Sequence, residues 1–210
     1  MANATTFPGD VVIPGSLRVT GGITPAVART SILAQAELQA FTIPLTQWRV
    51  HDAFHTVLPG TAATDDLALV GGTFGSASPS IQSVDFGETT TVAYARTQIT
   101  LPWEYEAGQS VTLRFHGGML VVADTDCTLD CECYKSDEEA GIGSDLASAA
   151  VTDNINSAVF ADIDFTITSS GLSAGDTLDV RIKIDGEDTA TAAANVTAVI
   201  GATQLLCDVR

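Results

Sequence analysis

Strict alternation of apolar and polar residues marks several stretches in the second half of the chain. Val111, Leu113 and Phe115 would share one face of a strand, and the same period of two recurs downstream. A period of two residues indicates a strand with one buried face. The other alternating runs contain Cys127, Leu129, Cys131 and Cys133; Val159, Ala161, Ile163, Phe165 and Ile167; Leu178, Val180, Ile182 and Ile184; and Leu205, Cys207 and Val209.

Short segments rich in glycine, proline and aspartate separate these runs. They lie at residues 102–108, 117–118, 141–143, 171–175 and 185–186. Evenly spaced strands without helical periodicity between them are typical of a sandwich or barrel. We therefore predict an all-β fold, an antiparallel two-sheet β-sandwich over residues 41–210.

One stretch breaks the alternation. Between residues 91 and 101, Val92 and Tyr94 occupy even positions, whereas Ile99 and Leu101 occupy odd ones. An extra residue in a strand shifts its faces in this way. We therefore predict a β-bulge near residues 96–98.

The first forty residues follow a different pattern, in which proline and glycine interrupt two short apolar pieces. Such pieces cannot close a core of their own, so we predict that residues 1–40 form an extended N-terminal arm that lies on another surface. From Thr24-Pro25 to Phe41 we predict a short helix or turn, and a strand from Glu37 to Leu45 is the alternative interpretation of the same stretch. The predicted partner-binding residues of the arm are its apolar side chains: Phe7, Val11, Val12, Ile13, Leu17 and Val19.

Charge excludes several kinds of partner. Nine Lys and Arg residues against 26 Asp and Glu residues give a net charge of −17. Nucleic acids and anionic membranes both bind basic surfaces, so we expect neither as a partner. No apolar run is long enough for a transmembrane helix, and we expect no signal peptide at this N-terminus. Residues 121–210 hold 17 acidic residues and four cations, and we expect this part to face water.

The segment from His51 to His55 is similar to the zinc motif H-E-x-x-H, with Asp52 in place of glutamate. That motif needs a helix, whereas the residues before it have the pattern of a strand. We therefore predict two histidines at the surface or at a sheet edge, and no metal site. The third histidine, His116, lies in a predicted strand.

The four cysteines are predicted to fill the core. Cys127, Cys131 and Cys133 share one apolar strand face, and no C-x₂-C turn suggests zinc. Same-face neighbours in a strand are about 7 Å apart, which is too far for an unstrained Cys131–Cys133 disulfide. Buried cysteine packs as a small hydrophobe. A cross-strand link from Cys207 stays open.

Other candidate sites carry weaker patterns. Gly71–Gly75 predicts a tight hairpin or corner, and no nucleophile elbow, P-loop or complete dinucleotide motif is present. We therefore expect no enzyme, no catalytic residue and no cofactor. Two acidic groups lack the spacing of an EF-hand and are expected to be solvated: Asp124, Asp126 and Asp130, and Asp185, Glu187 and Asp188. An aromatic platform for sugar stacking is an alternative interpretation of Trp103, Tyr105 and Tyr134, although residues 101–108 are more simply a corner between strands.

Three segments carry a resemblance to a known family. They are Leu101-Pro-Trp-Glu-Tyr-Glu-Ala-Gly-Gln-Ser-Val-Thr-Leu-Arg-Phe115, Gly171-Leu-Ser-Ala-Gly-Asp-Thr-Leu-Asp-Val-Arg181, and Leu58-Pro-Gly-Thr-Ala-Ala-Thr-Asp-Asp-Leu-Ala-Leu69. With the leader at residues 8–22, they resemble the jelly-roll decoration, or cement, proteins of tailed bacteriophages. The resemblance covers about residues 45–210.

This resemblance implies a virion structural protein without catalytic residues. It would be made in the host cytoplasm and would bind the major capsid protein on the outer capsid surface as a homotrimer or homodimer. Two alternatives stay open. One is a phage tail, fibre, baseplate or receptor-binding module with the same sandwich, and the other is a carbohydrate-binding module.

Overall fold

The computed structural model of the protein describes residues 38–121, 125–136, 142–189 and 196–209. Within these ranges the chain forms nine strands and one 3₁₀ turn at Leu45–Gln47. No helix in these ranges is long and apolar enough to span a membrane. The strands are β1 Gln39–Thr42, β2 Ala68–Val70, β3 Ser80–Gln82, β4 Thr91–Thr100, β5 Val111–Met119, β6 Thr125–Ser136, β7 Ala161–Ile167, β8 Thr177–Asp188 and β9 Ala198–Cys207.

Two antiparallel sheets pack face to face. The large sheet has the order β2-β3-β9-β5-β7, with β1 also paired to β9, and the small sheet has the order β4-β8-β6. From β3 to β9 successive strands alternate between the two sheets, which is the crossing pattern of a jelly roll. The predicted all-β, two-sheet sandwich is confirmed.

The two sheets contribute different side chains to the core. In the large sheet, Phe115 and Phe165 meet edge to face with ring centroids 5.8 Å apart, and Trp48 packs on Phe115 at 6.1 Å. The Trp48 indole N–H donates to Thr203 Oγ1 at 3.2 Å, so its buried donor is satisfied. The inward positions of the small sheet carry smaller groups, among them Ala93 and three cysteines.

The predicted bulge in β4 is wrong. This strand pairs with β8 residue by residue from Thr91 to Thr100, without a shift of register. Its inward positions are odd ones, beginning with Ala93, while Val92 and Tyr94 point away from the core. The register shift lies instead in β5, between His116 and Gly117.

Two predicted turns lie inside strands. At residues 117–118 strand β5 does not turn but continues to Met119. A Cβ on Gly117 would lie 2.7 Å from the carbonyl oxygen of Val199 in β9. Glycine is therefore needed for the close approach of these two backbones. At residues 185–186 the strand β8 continues to Asp188, and the Phe86 ring packs against Gly186.

The stretch after Glu37 forms a strand rather than a helix. Strand β1 pairs with β9, with Phe41 opposite Leu205. It begins at Gln39, so the last two positions of the predicted arm belong to this strand. Residues 1–37, with the predicted partner-binding side chains from Phe7 to Val19, lie outside the described residues.

The free edge of β6 is capped by side chains. Alternate backbone N–H groups of this strand point away from β8, and each donates to a side-chain oxygen of an Asp or Asn residue. Cys127 N bonds to Asp153, Leu129 N to Asn154, Cys131 N to Asp130 and Cys133 N to Asp145, at 2.8–3.2 Å. These oxygens satisfy donors that would otherwise be unpaired at a sheet edge.

Residues 142–154 join the edges of the two sheets. Leu146 N donates to the Cys133 carbonyl in the small sheet, and Thr168 N donates to the Leu146 carbonyl beside the end of β7 in the large sheet. On the other side of the small sheet, Arg49 and Asp66 form isolated bridges to β4. The outer face of the small sheet therefore has a chain segment along each of its long edges.

Candidate functional site

The outer face of the small sheet, which we call the small-sheet face, combines aromatic and charged side chains. They come from the positions of β4, β8 and β6 that alternate with the core residues, so the same period that builds the core also builds this face. Its principal members are Tyr94 and Arg96 from β4, Asp179, Arg181, Lys183 and Asp185 from β8, and Thr128, Asp130, Glu132 and Tyr134 from β6.

Two arginine–carboxylate pairs lie across the middle of this face. Arg96 forms a bidentate pair with Asp179, with Nε 2.7 Å from Oδ1. The carboxylate side chain is only 8% exposed and raises the pKa of Arg96 by hydrogen bonding. Arg181 Nε lies 2.7 Å from Glu132 Oε2, and its guanidinium carbon lies 5.1 Å from the Tyr94 ring centroid. Within each pair the positive and negative charges cancel, and the hydrogen bonds hold the four planar polar groups in place.

These pairs form the floor of a depression of about 280 Å³. Tyr134 also lines it, together with His51 and Ile142 from the flanking segments. The His51 ring stacks on Tyr94 with centroids 4.6 Å apart. The site is thus an electrically balanced depression with an aromatic side chain, open to solvent.

A second, acidic groove of about 650 Å³ lies along the same face beside residues 145–153. Several of its carboxylates already have partners in the fold. Asp130, Asp145 and Asp153 cap the edge of β6, and Glu187 accepts a hydrogen bond from Thr90 at 2.6 Å. Lys183 lies 3.7 Å from Asp130. These four acidic residues of the groove therefore have structural roles.

The two acidic groups named from the sequence are divided by the fold. Asp126 and Asp130 line the acidic groove, whereas Asp124 lies outside the described residues. In the second group Asp185 and Glu187 line the groove, but Asp188 is buried.

The aromatic residues named from the sequence have three different environments. Tyr105 is buried, and its hydroxyl donates to the Gln109 carbonyl at 2.7 Å. Trp103 is 83% exposed in a loop, where its ring packs against Gly175. Tyr134 lies in the depression on the small-sheet face. The corner interpretation of residues 101–108 therefore fits Tyr105, while Tyr134 belongs to the site with Arg181.

The three histidines are also separated. His55 is exposed, and His116 lies on the outer face of the large sheet with Nδ1 2.8 Å from Asp162. His51 is mostly buried, with a side chain 15% exposed and Nδ1 3.9 Å from Asp66 Oδ1. His51 and His55 therefore do not act as a pair.

The cysteines fill the core, as predicted. All four are free thiols and all are buried. Burial raises the pKa of the Cys127 and Cys133 thiols to about 12 and that of Cys207 to about 11. Protonated thiols are poor nucleophiles and poor metal ligands.

The sequence did not identify the central residues of the depression. Arg181, Asp179 and Glu132 lie on polar faces of alternating strands, and such faces are normally only solvated. The usable signal was the apparent break of phase at Val92 and Tyr94. An aromatic residue on the polar side of a regular strand marks the face as more than a solvated surface.

No known family model matches this sequence, and no curated protein is significantly similar to it in sequence. Three of the solved structures to which this chain is similar have TM-scores below 0.5. The xylanase 10B CBM22-1–GH10 modules of Clostridium thermocellum have a TM-score of 0.39 at 9% identity, covering 82% of this chain and 28% of that one. The arabinose-bound MgGH51 α-L-arabinofuranosidase has a TM-score of 0.46 at 9% identity, covering 83% and 27%.

The CBM22-2 xylan-binding domain of Paenibacillus barcinonensis Xyn10C has a TM-score of 0.40 at 14% identity, covering 80% of this chain and 98% of that domain. This chain thus spans about a quarter of the length of the first two proteins and nearly all of the third. At these TM-scores the similarity carries no information about what this chain binds.

Proposed function

We propose that the described sandwich is a non-catalytic binding module whose small-sheet face binds a neutral carbohydrate. The observation that carries this proposal is the depression of about 280 Å³, in which two complete arginine–carboxylate pairs lie beside Tyr134.

Paired arginine and carboxylate groups suit a ligand rich in hydroxyls. A guanidinium only donates hydrogen bonds and a carboxylate only accepts them, whereas each sugar hydroxyl can do both. Adjacent hydroxyls can therefore accept from Arg181 and donate to Glu132 in one plane. Tyr134 adds an amphipathic ring, which can cover an apolar patch of a sugar while its hydroxyl stays solvated.

Charge favours a neutral ligand. The two arginines and the two carboxylates of the depression cancel, so no unpaired charge attracts an ion. The net charge of −17 repels anions. Cations have a more attractive surface in the neighbouring acidic groove. A neutral polyhydroxyl ligand remains as the best fit.

The size of the depression fits a short ligand segment. Binding sites for small molecules typically measure about 300–1,000 Å³, so this one lies near the lower limit. Because it is open to solvent, a longer chain can continue beyond it along the face. We expect affinity to depend on one or two sugar units in contact with Tyr134 and Arg181.

The resemblance to bacteriophage decoration proteins concerns the particle to which such a module would be attached. Attachment to the major capsid protein on a virion stays a prediction from the sequence, as does assembly into a trimer or dimer. Sugar binding by one sandwich depends on neither.

The test is calorimetric titration of the full chain with soluble neutral polysaccharides, with acidic polysaccharides for contrast. Removal of one charge-assisted hydrogen bond typically weakens binding by about 10- to 100-fold. We expect this loss for Arg181→Gln and a similar one for Tyr134→Ala. The matched control is Arg114→Gln, because Arg114 also pairs with a strand carboxylate, Asp164, but on the outer face of the large sheet.

The control should retain affinity within twofold, and so should Trp103→Ala. Loss of binding in Trp103→Ala but not in Tyr134→Ala would move the site to the loop platform. Absence of binding to every polysaccharide of the panel, or preferential binding of the acidic ones, contradicts the proposal.

A further inference from the structure

Three metal-ligand side chains converge beside β4. They are His51, Asp52 and Asp66, and their ligand atoms all lie within 4.8 Å of one another. Two separate chain segments bring them together on the same strand. Arg49 N donates to the Arg96 carbonyl at 2.8 Å, just before His51, and Tyr94 N donates to the Asp65 carbonyl at 3.0 Å, just before Asp66.

Two of the candidate ligand atoms lack a hydrogen-bond partner in the protein. His51 Nδ1 and Asp66 Oδ1 are each shielded from solvent, and neither forms a hydrogen bond. Their separation of 3.9 Å is too long for a hydrogen bond to each other. Buried polar atoms almost always have a partner, so a pair of unpartnered ones that face each other requires an explanation.

The electrostatic surroundings of Asp66 also favour a cation. The carboxylates of Asp52 and Asp65 lie close enough to repel that of Asp66. No arginine or lysine forms an ion pair with Asp66 among the described residues. A bound cation would remove the repulsion and satisfy both unpartnered atoms.

We propose that His51, Asp52 and Asp66 bind a divalent transition-metal ion, for which zinc is the probe. One imidazole nitrogen with two carboxylate oxygens suits zinc, whereas calcium prefers oxygen ligands alone. Zinc ligands at about 2.0–2.2 Å stand roughly 3.4 Å apart at tetrahedral angles. The observed 3.9 Å separation is therefore close to that of a zinc site, and solvent can supply the fourth ligand.

This assignment differs from the motif in the sequence, from which no metal site was predicted. The exposed His55 does not join the cluster, and Asp66, eleven residues further along, takes its place. The proposal stands independently of sugar binding. A metal on His51 would also fix the ring that stacks on Tyr94 and lines the depression, so it would stiffen one wall of that site.

The experiment is titration of zinc chloride into the full chain after treatment with a chelator and its removal by dialysis. We expect a site that binds one zinc ion per chain. His51→Gln and Asp66→Asn should each weaken this site at least tenfold. The matched control His55→Ala should retain it within twofold, and His116→Ala excludes a contribution from the His116–Asp162 pair. Calcium chloride should produce no comparable heat.

A second readout is thermal stability. A ligand at 100 times its Kd stabilises a protein of this size by about 5–10 °C in Tm, so zinc should raise the Tm of the wild-type chain but not that of Asp66→Asn. Equal zinc affinity in His55→Ala, wild type and His51→Gln would overturn the proposal, as would the absence of zinc binding. Tyr134→Ala should retain zinc, which separates failure of this site from failure of the sugar site.

Discussion

The two sheets of the sandwich use their aromatic residues in opposite directions. In the large sheet Phe115 and Phe165 point inward and pack with Trp48. In the small sheet Tyr94 and Tyr134 point outward, beside arginine side chains. The inward positions behind them hold alanine and cysteine instead.

The difference shows that the large sheet supplies aromatic rings to the core, whereas the small sheet supplies aromatic and charged side chains to the solvent-exposed site. The aromatic rings that strands contribute to the core come from the large sheet, and the small sheet packs on them with alanine, cysteine, leucine and isoleucine side chains. The aromatic residues of the small sheet lie on its solvent side instead.

The largest expected effect separates stability from binding. Phe115→Ala should lower the free energy of unfolding by about 3–5 kcal/mol, because it leaves a cavity among buried aromatic rings. Tyr134→Ala should lower it by less than about 1 kcal/mol but remove sugar binding. Urea unfolding of both variants measures this contrast. A large loss of stability in Tyr134→Ala would mean that the tyrosine is a packing residue and the comparison of the two sheets is wrong.

A smaller contrast concerns the carboxylates of the two outer faces. Asp179 is 8% exposed, whereas Asp164, which pairs with Arg114 on the large sheet, is 42% exposed. Asp179→Asn leaves Arg96 with a weakened partner in a mostly buried setting, so we expect a loss of about 2 kcal/mol. Asp164→Asn should cost less than about 1 kcal/mol, as exposed pairs do. Urea unfolding at low and high salt checks both values, and salt should affect the Asp164 pair more.

The smallest effect concerns the thiols behind the small-sheet face. The pKa of Cys127 and Cys133 is about 12 in the folded chain, against 9.0 for an unperturbed thiol. The folded state therefore holds more protons above pH 9, so stability is unaffected below pH 9 and falls as the pH rises beyond it. The loss should be on the order of 1 kcal/mol per thiol at pH 10.

The measurement is the difference in unfolding free energy between pH 8 and pH 10. Replacing Cys127 and Cys133 together by alanine should reduce the alkaline loss about twice as much as Cys207→Ala does, because two buried thiols are removed instead of one. An equal reduction would contradict the raised pKa of the two small-sheet thiols.

The fold could be predicted from the sequence because it follows from a local period. Alternation places Leu113 and Ile182 on inward faces whatever the partner strand, and both are buried. The wrong predictions concern residues whose position depends on the neighbouring strand. Gly117 looks like a turn residue until the close approach of β9 is known, and Val92 looks like a core residue until the register of β4 with β8 is known.

The candidate site was much less predictable for a related reason. Arg181 and Glu132 are 49 positions apart in the chain, and only the pairing of β6 with β8 brings them together. The same holds for His51 and Asp66, whose proximity depends on two separate bridges to β4. No spacing rule connects such residues, so their chemistry becomes visible only with the register.

The capping of β6 affects how copies of this protein associate at high concentration. Open sheet edges let one copy of a protein extend the sheet of another, and this reaction becomes faster as copies become more concentrated. Here Asp130, Asp145, Asp153 and Asn154 occupy the outward N–H groups that such a strand would need. Three of the four blocking groups are also acidic, so an approaching copy meets repulsion before contact. Many copies can therefore lie side by side at high local concentration without pairing through β6 into a continuous sheet.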